Sequence, residues 1–254
     1  MLLNRFAKEI LDQNWATVFV ELIIVVLGIY LGFQVTDWDE QRKLANQKGF
    51  YLERLQNDLQ NSLRSIETSV AVSSRAMEDI SYLEAVTKNP DIALSDPDKL
   101  PSSLFFPGVS RVIRIHTDTF DELTSSGKMN ILDNQMLESM IIEFYGVREA
   151  RGGTFENSYF AKSQRFEEFI EGVLNTPTLL AYFPFKSDWD FEFPEVELTN
   201  TDIFEIAENL SERQNLVDLL PSLYMSNVYI LREASLAENE IQQLLNAIEL
   251  EMAE

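Results

Sequence analysis

The sequence predicts an all-α protein, an N-terminal transmembrane helix continuing into an elongated bundle of about four long helices, and three observations carry that expectation. Residues 16–36, ATVFVELIIVVLGIYLGFQVT, form one uninterrupted apolar run at the head of a very acidic chain. From Trp38 to about Thr87 apolar residues recur at a helical period, with no Pro and a single Gly, Gly49. From Leu216 to Ile248 an apolar seam advances by alternating steps of four and three.

In chain order, residues 1–15 set Leu2, Leu3, Phe6 and Ile10 at helical spacing, with Arg5, Lys8 and Asp12 off that stripe, the pattern of a short interfacial amphipathic helix. The run 16–36 then matches the roughly 30 Å hydrocarbon core at about 1.5 Å rise per residue. It is longer than the apolar stretch of a cleaved signal, and it exits through Thr36-Asp37-Trp38-Asp39 without a small-residue cleavage site. Trp15 and Phe19 at one end, and Tyr30, Phe33 and Trp38 toward the other, suit the two interfacial belts. Arg5 and Lys8 before the span and Arg42, Lys43 and Lys48 after it do not separate the two orientations. A cytoplasmic N-terminus is favoured because a long C-terminal domain translocates largely regardless of charge, and a Cys-free domain has no thiol to mispair in a periplasm.

Residues 37–254 are expected to form one acidic helical-bundle domain. The stalk through Leu52, Leu55, Leu59, Leu63, Ile66, Val70, Met77, Ile80 and Leu83 should stop at Lys88-Asn89-Pro90. Four prolines, at 90, 97, 101 and 107, mark 89–116 as a long irregular loop. Thr119 and Glu122 have capping-box spacing ahead of a short helix, and Gly127 of Ser125-Ser126-Gly127 suits a left-handed C-terminal turn. Asp133 is placed to cap a longer helix through Met136, Met140, Ile141, Phe144 and Tyr145, with a break or kink expected at Gly152-Gly153. Residues 176–200, aromatic, acidic and carrying three Pro, read as a second irregular loop. Ser211 and Gln214 have capping-box spacing before the seam Leu216, Leu220, Leu223, Asn227, Ile230, Ala234, Ala237, Ile241, Leu244 and Ile248, and Pro221 should kink that helix or mark its start.

A net charge of −22 and a pI near 4.3 exclude nucleic acid and anionic lipid headgroups as partners of the domain, and leave cationic partners and divalent ions open. With no Cys and one His, thiolate chemistry and a structural zinc site are excluded. No cofactor signature is present. Ser126-Gly127-Lys128 lacks the first Gly of a phosphate loop, and the acids Asp188, Asp190 and Glu192 fail as a calcium loop because Phe193 and Thr199 stand where Gly and Glu are needed. Those acids alternate with Trp189, Phe191 and Phe193, which reads as a solvated edge over buried aromatics. His116, flanked by Arg111, Arg114 and Asp118, is the single place where acid-base chemistry would cluster, and its ordinary reading is a charged loop.

Two features suggest assembly. Glu21, Gly28 and Gly32 project from nearly one face of the span, with Gly28 and Gly32 in GxxxG spacing, the pattern of transmembrane association; the plainer account is a Gly pair tolerated in a lone helix. Asn227 is the polar residue of the C-terminal seam, either fixing register in an oligomeric coiled coil or lying in the core stripe of the chain's own bundle.

The segments ELIIVVLGIYLGFQVTDWDEQRK and TFDELTSSGKMNILDNQMLESMIIEFY resemble an abundant bacterial family of uncharacterised single-pass membrane proteins, a domain of unknown function. Glu21, Gly28-Ile29 and Trp38-Asp39-Glu40 match its span and exit, and Phe120, Leu123 and Ser125-Ser126-Gly127 match its interior motif. The resemblance implies a helical domain anchored in the bacterial inner membrane and assigns no reaction. The expected function is accordingly a non-enzymatic, self-associating interaction, scaffold or accessory subunit, with membrane lipid and either copies of itself or another membrane protein as partners. The alternative is an extracytoplasmic ligand-sensing bundle that signals through a separate partner, with a pocket near Phe183, Phe185 and Trp189.

Overall fold

The computed structural model describes residues 15–109, 112–171 and 199–253, and among them no strand occurs. In order, the elements are α1 (Trp15–Lys88), α2 (Asp91–Ser95), α3 (Lys99–Phe105), a 3-10 turn (Phe106–Gly108), α4 (Asp118–Ser125), a second 3-10 turn (Met129–Leu132), α5 (Gln135–Glu171), α6 (Asn200–Ser211) and α7 (Gln214–Ala253). The fold is all-α, as the sequence predicts. The expected interfacial helix over 1–15, apart from Trp15, and residues 176–198 of the expected second loop lie outside the described residues.

The chain divides between Tyr51 and Leu52 into two units. In the first, every side chain of α1 from Phe19 to Gln47 is exposed, including the whole apolar run from Phe19 to Val35. One helix among the described residues is thus long and apolar enough to cross a membrane, and none of that apolar stretch is buried in the protein.

In the second unit the same helix becomes striped: Leu52, Leu55, Leu59, Ile66, Ile80, Leu83 and Val86 are buried. The seam of α7 is buried throughout, from Leu216 to Ile248, and α5 contributes Leu137, Ile141, Phe144, Tyr159, Phe166 and Ile170. One continuous cluster joins Leu83 and Val86 of α1, Leu100 and Leu104 of α3, Phe166 of α5, Ile203 and Leu210 of α6, and Leu220 and Leu223 of α7. Each such side chain removes apolar surface from water worth about 1.5–3 kcal/mol, so this shared core sets the packing of the unit.

Several expected boundaries move, each for a local reason. The segment 89–116 is not irregular throughout: it carries α2, α3 and a 3-10 turn. Its prolines sit where a missing N–H costs nothing, Pro90 at the N-cap of α2, Pro101 in the first turn of α3 and Pro107 in the first turn of the 3-10 helix. α5 runs unbroken through Gly152-Gly153, held on both sides by buried Tyr145 and Tyr159. Asn134 and not Asp133 caps α5, its Oδ1 accepting from the Met136 and Leu137 amides at 3.0 and 3.1 Å. Asp133 instead adopts the left-handed conformation at φ 49°. Ser211 ends α6, donating to the Glu208 carbonyl at 2.7 Å, so it does not cap α7. Pro221 lies within α7 on its exposed side. The capping box that does form is Thr199 with Asp202 at the start of α6.

The predicted turn after α4 forms. Gly127 has φ +66°, its amide donates to the Thr124 carbonyl at 3.1 Å, and the Lys128 amide donates to the Leu123 carbonyl at 2.9 Å, the two bonds of a Schellman cap. A Cβ at Gly127 would meet nothing within 4 Å, so a side chain there is opposed by backbone conformation alone. Gly127→Ala is expected to cost about 1–2 kcal/mol in urea unfolding of the detergent-solubilised protein, with Gly127→Asn costing less because Asn tolerates the left-handed region.

Candidate functional site

Glu21, Gly28 and Gly32 lie in the first unit on α1. At 3.6 residues per turn they project within about 40° of one another. All three are exposed, and a Cβ built at Gly28 or Gly32 meets nothing within 4 Å. The Thr36 hydroxyl bonds back to the Gly32 carbonyl at 3.0 Å, so it adds little polarity to that surface. Beyond the apolar run, Arg42 lies over the Trp38 ring at 5.7 Å and Lys43 pairs with Asp39 at 2.7 Å.

Asn227 lies in the second unit, fully buried in the chain's own bundle. Its Nδ2 donates to the Leu223 carbonyl at 3.0 Å, and its Oδ1 accepts from the Tyr159 hydroxyl at 3.1 Å. Burial pushes the Tyr159 phenol up to about 12, against the pull of the Asn227 bond, which keeps it a neutral donor. The structure pairs Tyr159 of α5 with Asn227 of α7.

A polar edge of α1 was not singled out by the sequence reading. Residues 112–117 carry no regular secondary structure, and part of their backbone is bonded by side chains of α1. The Arg114 amide donates to Ser65 Oγ at 3.3 Å, the His116 amide to Ser62 Oγ at 2.9 Å and the Thr119 amide to Asp58 Oδ2 at 3.0 Å. The Val112 carbonyl accepts from Ser69 Oγ at 3.2 Å. Residues 62, 65 and 69 share one side of the helix, and they meet the backbone of the alternate residues 116, 114 and 112 in turn. The available signal was the row Asp58, Ser62, Ser65, Ser69, Ser73, Asp79 at helical spacing inside an otherwise apolar stripe. His116 enters this arrangement through its backbone, and among the described residues no group of three or more His, Asp or Glu is arranged to hold a metal. The acids at 188, 190 and 192 and the aromatics at 183, 185 and 189 lie outside the described residues.

The edge ends at Asp79, whose side chain is wholly buried. It accepts from Arg75 Nε at 3.1 Å and from the Ser103 and Ser102 hydroxyls at 3.1 and 3.3 Å. Burial raises its pKa above the ordinary 3.8, with Arg75 and the two serines pulling down. The arrangement is a satisfied buried carboxylate that anchors α3 to α1.

No family model, curated protein or solved structure matches the chain, so the family resemblance rests on the motifs quoted above.

Two outcomes are expected. Asn227→Leu should destabilise by about 2 kcal/mol, and adding Tyr159→Phe should cost about 1 kcal/mol less than the sum of the single changes, a coupling read from a double-mutant cycle in urea. For Asp79, a folded-state pKa above the unfolded one means that the native state holds the proton longer. Its contribution is therefore present below pH 3.8 and is lost as pH rises through the folded value. The stability of Asp79→Asn relative to the parent should consequently climb as pH is raised from about 4, and a flat difference would contradict the raised value.

Proposed function

We propose that the protein is a membrane-anchored interaction subunit, without chemistry of its own, that self-associates through the Glu21, Gly28 and Gly32 face of its span. The observation that carries this reading is a fully exposed apolar helix with its two glycines open and one carboxylate on the same side. In lipid, association is driven by close backbone approach at small residues and by hydrogen bonds between polar side chains, and this face offers both. Glu21 lies near the start of the run, about 8 Å deep at helical rise, where a carboxyl is tolerated more readily than at midplane. The membrane is taken to be a bacterial inner membrane, with the N-terminus cytoplasmic and the acidic bundle periplasmic, where it offers a docking surface to cationic partners.

The unbroken course of α1 from the apolar run into the bundle favours a second reading, a sensor that passes a shift of the bundle to a separate membrane partner. A small molecule retained by a monomeric protein in native mass spectrometry would support it over the first.

The test of the first reading is the mass of the full-length protein in native-like lipid particles. A discrete oligomer is expected, and Gly28→Leu should shift it toward monomer by about tenfold, the effect of 1–2 kcal/mol of helix packing. A monomeric parent, or an oligomer indifferent to Gly28→Leu, would overturn the reading.

A further inference from the structure

Where α4 meets α1 and α5, two carboxylates and two buried hydroxyls that have no partner belong to the first turn of α4 and the residues that touch it. The first carboxylate is Asp58, whose Oδ2 accepts the Thr119 amide at 3.0 Å. The second is Asp121, whose Oδ2 accepts the Thr117 hydroxyl at 2.7 Å. Neither Oδ1 has a hydrogen-bond donor among the described residues, and no Lys or Arg among them forms an ion pair with either residue. Arg54, one turn before Asp58, is paired with Glu122 at 2.5 Å.

The hydroxyls are those of Thr119 and Tyr145, 1% and 3% exposed, and neither Oγ1 nor the phenol has a hydrogen-bond partner. Thr119 stands beside the Asp58 carboxylate through its own amide. Tyr145 lies against the same turn, because its ring stacks on Phe120, between Thr119 and Asp121, at 4.5 Å and 16°. Burial first, and then the charges of Asp58 and Asp121, push the Tyr145 phenol upward.

We propose that Asp58, Asp121, Thr119 and Tyr145 form a binding site for a hard divalent cation, calcium or magnesium. Two carboxylates with free oxygens and two neutral hydroxyls are all-oxygen donors, and the remaining positions of the ion are filled by water on the exposed Asp121 side. A water molecule alone would satisfy the hydroxyls and leave two uncompensated negative charges against them; a cation resolves both. The site ties α4, and with it the end of the segment 112–117, to α1.

The experiment is thermal unfolding of the full-length protein in mild detergent with calcium or magnesium chloride, each against sodium chloride at matched ionic strength, together with equilibrium dialysis for stoichiometry. One cation per chain and a saturable rise of about 5 °C are expected for at least one of the two ions. The rise should vanish in Asp121→Asn, which keeps an acceptor for Thr117, and persist in Glu249→Gln, an exposed acid of α7. Should Asp121→Asn fail to fold, Tyr145→Phe decides by the same criterion. No rise with either ion, or an equal rise in the site variants, overturns the proposal, since general screening of a chain of charge −22 would then be its cause.

Discussion

A segment without regular structure that packs along a helix has no strand to accept its backbone, and each N–H and C=O it turns toward that helix needs another partner. In this protein α1 supplies those partners from its side chains. Ser62, Ser65 and Ser69 bond the backbone of residues 112, 114 and 116, Asp58 accepts the Thr119 amide in the first turn of α4, and Asp79 with Arg75 holds α3 through Ser102 and Ser103. The core stripe of α1 runs from Leu52 to Val86 beside these polar positions in the sequence. One helix therefore serves two unlike neighbours. Its apolar positions take part in the core cluster with α5, α6 and α7, and its polar positions fix the long connection that leads from α1 to α5.

That division explains what was legible in the sequence. Apolar periodicity located α1, α5 and α7, because burial of a stripe is what those helices share and the period survives in the residues themselves. Gly127 was legible for the same reason, since the left-handed turn has a strong residue preference. The capping residues were less so. Asp133 and Asn134 are both good caps, and which one is used depends on where the preceding 3-10 turn ends, a tertiary matter. Prolines misled in 89–116 because they were read as breakers, while the chain uses them at helix starts. Gly152-Gly153 misled in the opposite sense: a cost of about 1 kcal/mol per Gly is small beside the core contacts of Tyr159 and Phe166 further along α5. Asn227 was placed correctly on a seam, but its partner Tyr159 lies on another helix, and pairing across helices leaves no trace in the spacing of either.

The two parts of α1 also differ in the solvent they are written for. From Leu52 onward apolar and polar residues alternate by face, as a helix half in water requires. From Phe19 to Val35 there is no polar face: Leu22, Ile23, Ile24, Val25, Val26 and Leu27 surround the axis, and all are exposed. Leaving a Leu, Ile or Val in water forgoes roughly 1.5–3 kcal/mol. Over one such stretch the sum exceeds the stability of an ordinary domain, about 5–15 kcal/mol. By length and apolarity this helix matches the hydrocarbon core of a bilayer. In water Gly28 and Gly32 weaken a helix; neither has an atom within 4 Å of where a Cβ would stand, and in lipid small-residue pairs of this spacing are where helix backbones approach closely. Glu21 lies on that same side of α1, and within a bilayer a carboxyl is accommodated more readily against another polar helix face than against acyl chains.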